Sequence, residues 1–121
     1  MSTPPPHVLP SVLQKAKIAY TLWFSIVDNI PKAHRYTLGG KVEDYFLETL
    51  ECIFTALYLS PDRKIPRIEM TISKLDGVKF FAQLAWENKC IPNKQYADLS
   101  EKLEEVGKML GGWKKGLEKP R

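Results

Sequence analysis

Residues 96–117 read YADLSEKLEEVGKMLGGWKKGL. Their apolar positions, Leu99, Leu103, Val106, Leu110, Trp113 and Leu117, advance by alternating steps of four and three. That spacing keeps one side of an α-helix continuously apolar. Gly107, Gly111 and Gly112 crowd the end of the pattern, and each costs a helix about 1 kcal/mol relative to alanine. Something must offset that cost. Gly107 and Gly111 lie four apart on one face, where they would let another helix approach closely, with Trp113 packing beyond them. Two seats for that contact stay open, one inside the chain and one at a seam between protomers.

Working back towards the N-terminus, Pro92 separates this helix from a third run, expected to start near Ile65-Pro66. It carries Ile68, Ile72, Leu75, Val78, Ala82, Ala85 and Trp86 at helical spacing, and proline suits a first helical turn. Ser60-Pro61-Asp62 closes a second run, which begins after Thr37 as N-cap and presents Leu38, Val42, Tyr45, Phe46, Leu50, Ile53, Phe54 and Leu57. The first run starts at Ser11, presents Val12, Ala16, Ala19, Trp23, Ile26 and Ile30, and stops at Pro31. Four of the nine prolines fall within residues 1–10, which predicts an extended, flexible leader.

Four such runs, each about 30 Å long at 1.5 Å per residue and joined by short loops, predict an all-α fold. The expected architecture is an antiparallel up-down four-helix bundle over residues 11–117, with a leader at 1–10 and a basic tail at 118–121. No strand-like alternation competes. Apolar residues remain beyond the narrow stripes: Phe24, Leu47, Leu59, Met70, Phe80, Phe81, Leu84 and Met109. They imply either a wide buried face on each helix or an exposed patch that buries against copies of the chain or a partner.

The 121 residues are 44% hydrophobic and 26% charged, with a formal net charge of +4. That is the profile of an ordinary globular domain, large enough to fold without disulfides or a structural metal. No apolar run is long enough to span a membrane, and no secretion signal precedes the first helix, so a cytoplasmic location is expected. Cys52 and Cys90 lack metal-ligand spacing and read as reduced thiols, with their pairing left open.

In the expected bundle the basic residues gather at the two ends. Lys32, His34, Arg35 and Lys41 share one end with Lys89 and Lys94. Arg63, Lys64, Arg67, Lys114, Lys115, Lys119 and Arg121 share the other. Acidic residues occupy the helix flanks instead: Glu43, Asp44, Glu48 and Glu51 on the second helix, and Asp98, Glu101, Glu104 and Glu105 on the fourth. Lys32, Arg63, Lys64, Lys89, Lys114 and Lys115 fall at helix C-termini, where a cation contributes about 0.3–1 kcal/mol against the helix dipole. Lys41, Arg67 and Lys94 fall near helix starts, where the dipole disfavours them, and so point to an anionic partner.

Several chemistries are excluded. A di-metal carboxylate site needs Glu-x-x-His pairs on two helices, yet the two histidines are His7 in the leader and His34 in a loop. Leu38-Gly39-Gly40-Lys41-Val42 lacks the spacing of a phosphate-binding loop. Neither cysteine has a base suggested beside it, and His34 reads as a loop hydrogen-bonder or partner contact. The expectation is a protein that is not an enzyme and holds neither metal nor cofactor.

Ile30-Pro31-Lys32-Ala33-His34-Arg35 and Val106-Gly107-Lys108-Met109-Leu110-Gly111-Gly112-Trp113 resemble two segments of a known family. These are the accessory variability (Avd) proteins of diversity-generating retroelements. They sit within a broader four-helix family that includes proteins encoded by intervening sequences in bacterial 23S ribosomal RNA genes. The resemblance covers residues 11–117. It implies a barrel-like homopentameric ring of four-helix protomers. Such a ring binds the retroelement's reverse transcriptase and template RNA and supports error-prone cDNA synthesis without catalysing it. Basic surface residues serve nucleic-acid and polymerase contact in that family, and Lys32 and Arg35 match within the shared loop. Extending the role to His34, Lys41, Arg63, Lys64, Arg67, Lys114 and Lys115 follows from placement alone. The mild net charge and acidic flanks depart from what an RNA-holding protein needs. The competing expectation is a self-associating structural module with a protein partner and no significant nucleic-acid binding.

Overall fold

Every regular element is helical in the computed structural model of the chain, which describes residues 9–118, with side chains from residue 11 onward. The leader up to residue 8, with His7, lies outside the described residues, as do Lys119 and Arg121 of the basic tail. Four long helices, α1 (Leu9–Val27), α3 (Leu38–Ala56), α4 (Pro61–Glu87) and α5 (Asn93–Glu118), form a helical bundle. A single helical turn, α2 (Lys32–Arg35), occupies what the sequence presents as a loop. Among the described residues there is no strand.

The apolar stripes meet in one core. Val12, Ala16, Ala19, Trp23, Ile26 and Ile30 face Val42, Phe46, Ile53 and Ala56 of α3. Ile68, Leu75, Val78, Ala82 and Ala85 of α4 and Leu99, Leu103, Val106 and Leu110 of α5 complete it. Each fully buried large aliphatic side chain contributes about 1.5–3 kcal/mol relative to exposure. Helix α1 packs on α3 and α5, and α4 packs on α3 and α5.

Between α1 and α3 the space is filled by rings. Tyr20 meets Phe46 edge-on at 5.5 Å, and Trp23 stacks on Phe46 at 6.5 Å. Trp23 is fully buried, so its indole N–H needs an acceptor. Glu43 supplies it: Trp23 Nε1 donates to Glu43 Oε1 at 2.9 Å, and the Tyr20 hydroxyl donates to Glu43 Oε2. Part of the acidic flank of α3 is therefore a tie to α1. Glu48, Glu104, Glu105 and Glu69 also join helices, through Lys74–Glu48, Lys79–Glu104, Lys15–Glu105 and Lys114–Glu69 ion pairs at 3.1–3.3 Å. Each is partly exposed and contributes less than about 1 kcal/mol.

Helix α1 begins at Leu9, inside the expected leader, and ends at Val27, short of Pro31; the starts of α4 and α3 also differ from expectation. Helix α4 starts at Pro61, not near Ile65-Pro66. Pro61 occupies the first helical turn, and the Ser60 carbonyl accepts from both the Arg63 and Lys64 amides at 2.9 Å. Pro66 then lies inside the helix, where its missing N–H forgoes only the bond to the carbonyl of exposed Asp62. Thr37 precedes α3 but does not cap it with its side chain. Its hydroxyl donates to the His34 carbonyl at 3.2 Å and closes α2 instead.

Candidate nucleic-acid and partner surface

The residues of the Ile30–Arg35 segment divide their labour. Ile30 is buried in the core. Pro31 adopts an extended conformation, and its carbonyl accepts from the His34 and Arg35 amides at 2.8 and 3.1 Å, which turns the chain into α2. Arg35 Nη2 donates to the carbonyls of Asp28 and Ile30, both at 3.1 Å. Its guanidinium thus satisfies carbonyls that the end of α1 leaves open. Lys32 and His34 are exposed and carry no ion pair among the described residues.

Directly after α2, the residues Tyr36, Thr37, Leu38, Gly40, Lys41 and Asp44 border a surface hollow of ≈ 420 Å³. Lys41 extends from it so that Nζ lies 6.0 Å from the centre of the Phe81 ring on α4. Phe81 stacks on Tyr45 at 5.8 Å and 17°, and Phe80 meets Phe81 edge-on at 5.0 Å. On the far side Lys74 lies 5.7 Å from the Tyr45 ring centre. Of this cluster only Lys41 stands out in the sequence as a candidate contact. Phe80 and Phe81 stood out only as apolar residues off the stripe, and adjacency to Lys41 requires α3 and α4 to be packed together.

A second basic cluster surrounds the start of α4. Arg63 and Arg67 border a hollow of ≈ 300 Å³ with Leu59, Asp62, Pro66 and Met70. The Asp62 carboxyl is held below its ordinary pKa, first by the Ser60 hydroxyl and then by backbone amides and the nearby Arg63 charge. Lys64 turns inward: its ammonium donates to the carbonyls of Ala56 and Leu57 at 2.9 and 3.1 Å, capping α3. Burial pushes its pKa down. Lys114 is tied to Glu69 at 3.1 Å, whereas Lys115 is exposed in the last turn of α5. The residues pointing outward are therefore Lys32, His34, Lys41, Arg63, Arg67 and Lys115. Arg35, Lys64 and Lys114 are engaged within the chain.

The glycines distribute unexpectedly. A β-carbon on Gly107 would meet Lys79 Nζ at 3.3 Å and Leu75 Cδ2 at 3.6 Å, an approach the lysine can yield to. Nothing lies within 4 Å of a β-carbon built on Gly111, so it makes no close contact inside the chain among the described residues. Trp113 packs half-buried against the core. The tight approach is elsewhere, at Gly77 of α4, where a β-carbon would fall 2.6 Å from the Tyr45 ring. No local pattern marks Gly77, because the demand for a glycine comes from a tyrosine on another helix.

The surplus apolar residues split between the two expected readings. Leu59, Phe81, Leu84 and Met109 are half-buried and widen the packed faces. Phe24 (63%), Phe80 (59%), Leu47 and Met70 are exposed, joined by Ile18, Phe54, Tyr58 and Tyr36 (80%). Cys52 and Cys90 are buried free thiols. Among the described residues no group of His, Cys, Asp and Glu could hold a metal ion, and no helix is long and apolar enough to cross a membrane.

A family model described as bAvd-like matches residues 11–117. The chain belongs to this family. The match covers nearly all of the four long helices and includes both the Ile30–Arg35 segment and the glycine-rich end of α5, the segments that carried the resemblance. Of the flank carboxylates, Glu43, Glu48, Glu104 and Glu105 are tied to a neighbouring helix. No curated protein matches the chain.

Proposed function

We propose that this chain is the non-enzymatic accessory protein of a diversity-generating retroelement. As an antiparallel up-down four-helix protomer it self-assembles, as a ring-like homopentamer, in the cytoplasm. The assembly binds the reverse transcriptase and the template RNA and supports mutagenic cDNA synthesis. Family membership over residues 11–117 is the observation that carries this reading. The partner pairs support the antiparallel order: Lys41 with Phe81, Glu48 with Lys74 and Lys64 with Ala56 between α3 and α4, then Trp86 with Tyr96, Lys79 with Glu104 and Glu69 with Lys114 between α4 and α5. In each series one number rises as the other falls.

The outward cations supply the nucleic-acid half of the proposal. A cation held in an intrachain ion pair has little charge to offer a phosphate, whereas Lys32, His34, Lys41, Arg63, Arg67 and Lys115 have no such partner among the described residues. Arg35, Lys64 and Lys114 have second duties that explain their presence without RNA. The exposed Phe24, Leu47, Phe54 and Met70 side chains supply apolar surface for assembly.

The test is RNA binding by the purified protein across a salt titration, with particle mass from light scattering in the same buffers. The expected result is an oligomer whose affinity falls steeply with salt, and a Lys32→Glu/Lys41→Glu variant with weaker binding and a shallower slope. Arg35 is left intact there because replacing it would also open the end of α1. An oligomer indifferent to RNA would favour the second reading, a self-associating structural module, for which the exposed apolar side chains are the supporting observation.

A further inference from the structure

We infer that the face running from Tyr36 through Lys41 and Phe81 to Phe80 binds an unpaired nucleic-acid strand, with bases stacked on the exposed rings of Tyr36 and Phe80. The inference rests on the nucleic-acid part of the function proposed above and names its site and the form of nucleic acid that it takes.

Three features of this face belong together. First, Tyr36 is 80% exposed and stacks on no other ring among the described residues, so its ring is largely open to solvent. Second, Tyr36 shares the ≈ 420 Å³ hollow with Gly40 and Lys41, and nothing lies within 4 Å of a β-carbon built on Gly40. A planar group can therefore approach the α3 backbone beside the tyrosine. Third, Lys41 reaches from the hollow to Phe81, and Phe81 carries Phe80, 59% exposed, against its edge. Aromatic, lysine and aromatic thus succeed one another along the surface.

Single-stranded nucleic acid needs that alternation. Its bases present π-faces to aromatic side chains while its phosphates seek cations. A duplex hides its base faces and would use the lysine only. The charges around the face are mixed in a way that suits a base in the hollow. Lys32 and His34 precede Tyr36 on α2 and carry positive or donor character. Asp44, also on the rim, repels a phosphate but accepts hydrogen bonds from base N–H groups, the N3–H of uracil among them. Lys74 is largely spent on Glu48 and on the Tyr45 ring. Lys41 is therefore the phosphate contact on this face.

The experiment is fluorescence anisotropy with a labelled oligouridine strand and a blunt RNA duplex of the same length, each across several salt concentrations. The variants are Tyr36→Ala, Phe80→Ala, their combination, Tyr36→Phe and Lys41→Gln, all at exposed positions, with circular dichroism and light scattering confirming fold and assembly. The expected result is about tenfold weaker oligouridine binding in Tyr36→Ala, with a larger loss in the double variant. Tyr36→Phe retains binding because the ring is kept. Duplex binding stays unchanged in the alanine variants, and their salt slope for oligouridine is that of the parent, since no cation was removed. Lys41→Gln makes the slope shallower by about one ion.

Alanine variants that bind oligouridine like the parent would overturn the inference and leave the face to a protein partner. Equal losses for strand and duplex would also overturn it, because they would mark a change of assembly. A parent that binds the duplex as tightly as the strand, with no effect of the alanines, leaves the proposed nucleic-acid function standing and removes only the stacking site. A parent that binds neither removes both.

Discussion

The ring of Tyr45 on α3 lies against the bare α-carbon of Gly77 on α4, so that a β-carbon there would sit 2.6–2.8 Å from three ring atoms. The same ring stacks on Phe81, which makes Gly77 the support beneath the aromatic cluster of α3 and α4. Gly77→Ala gains about 1 kcal/mol in helix propensity and costs about 1–3 kcal/mol through overpacking. The second effect wins, because the atoms in the way belong to a ring pinned between α3 and α4. The expected outcome is a net loss of up to about 2 kcal/mol, read by urea unfolding. An equal or raised midpoint would mean that Tyr45 moves aside freely.

Gly111 is the opposite case. With nothing near it inside the chain, Gly111→Ala should stabilise the isolated helix by about 1 kcal/mol. Gly111→Leu should keep the helical circular dichroism spectrum and dissociate the oligomer, as a seam between protomers requires. An oligomer of unchanged mass in light scattering would place Gly111 outside any seam.

Glu43 holds α1 to α3 through Trp23 and Tyr20. Glu43→Ala leaves the buried indole N–H without its acceptor, at a cost of about 2–3 kcal/mol. The Tyr20 pKa is pushed up to about 12, first by burial and then by the hydrogen bond and charge of Glu43. A raised folded-state pKa means that the folded protein holds this proton more tightly than the unfolded chain. Its contribution is fully present below pH 10 and is lost as pH rises from about 10 to about 12. Alkaline unfolding of Tyr20→Phe should accordingly be less steep across that window. Absorbance titration of the parent should show one tyrosine ionising last.

Lys89 ends α4 in the left-handed conformation, with φ of 62°. Its amide donates to the Trp86 carbonyl at 2.9 Å, and the Cys90 amide donates to Ala85 at 2.8 Å, the paired bonds of a helix terminus that favours glycine. A lysine in that conformation is strained by about 1–2 kcal/mol. Lys89→Gly should therefore raise stability by about 1 kcal/mol, after the extra unfolded-state entropy of glycine is subtracted. A drop in the unfolding midpoint would show that the Lys89 side chain stabilises the terminus in some other way.

Much of this molecule was legible in local pattern. The step of four and three along Leu99, Leu103, Val106 and Leu110 places those residues in the core, and the stripe of the first run is buried residue for residue from Val12 to Ile30, just beyond the end of α1. Helix ends were less legible. Pro61 and Pro66 are both acceptable near a helix start, and only the carbonyl of Ser60, taken up by two amides, decides between them. The candidate site was legible by residue type and not by role. Lys32, Arg35, Lys64 and Lys114 are equally basic letters, yet two of them cap carbonyls, one pairs with a glutamate and one is exposed.

By itself, then, the sequence determined the four long helices, most of the stripe each one buries and the family, but not the turn α2 or the exposure of Phe54, because hydrophobic period and short segments are properties of neighbouring residues. The tertiary structure alone decided which glycine lies against a ring of another helix, which of the candidate cations stay outward, and that Lys41 meets Phe81. Those relations join residues on different helices, and a distance between helices exists only once their side chains have packed.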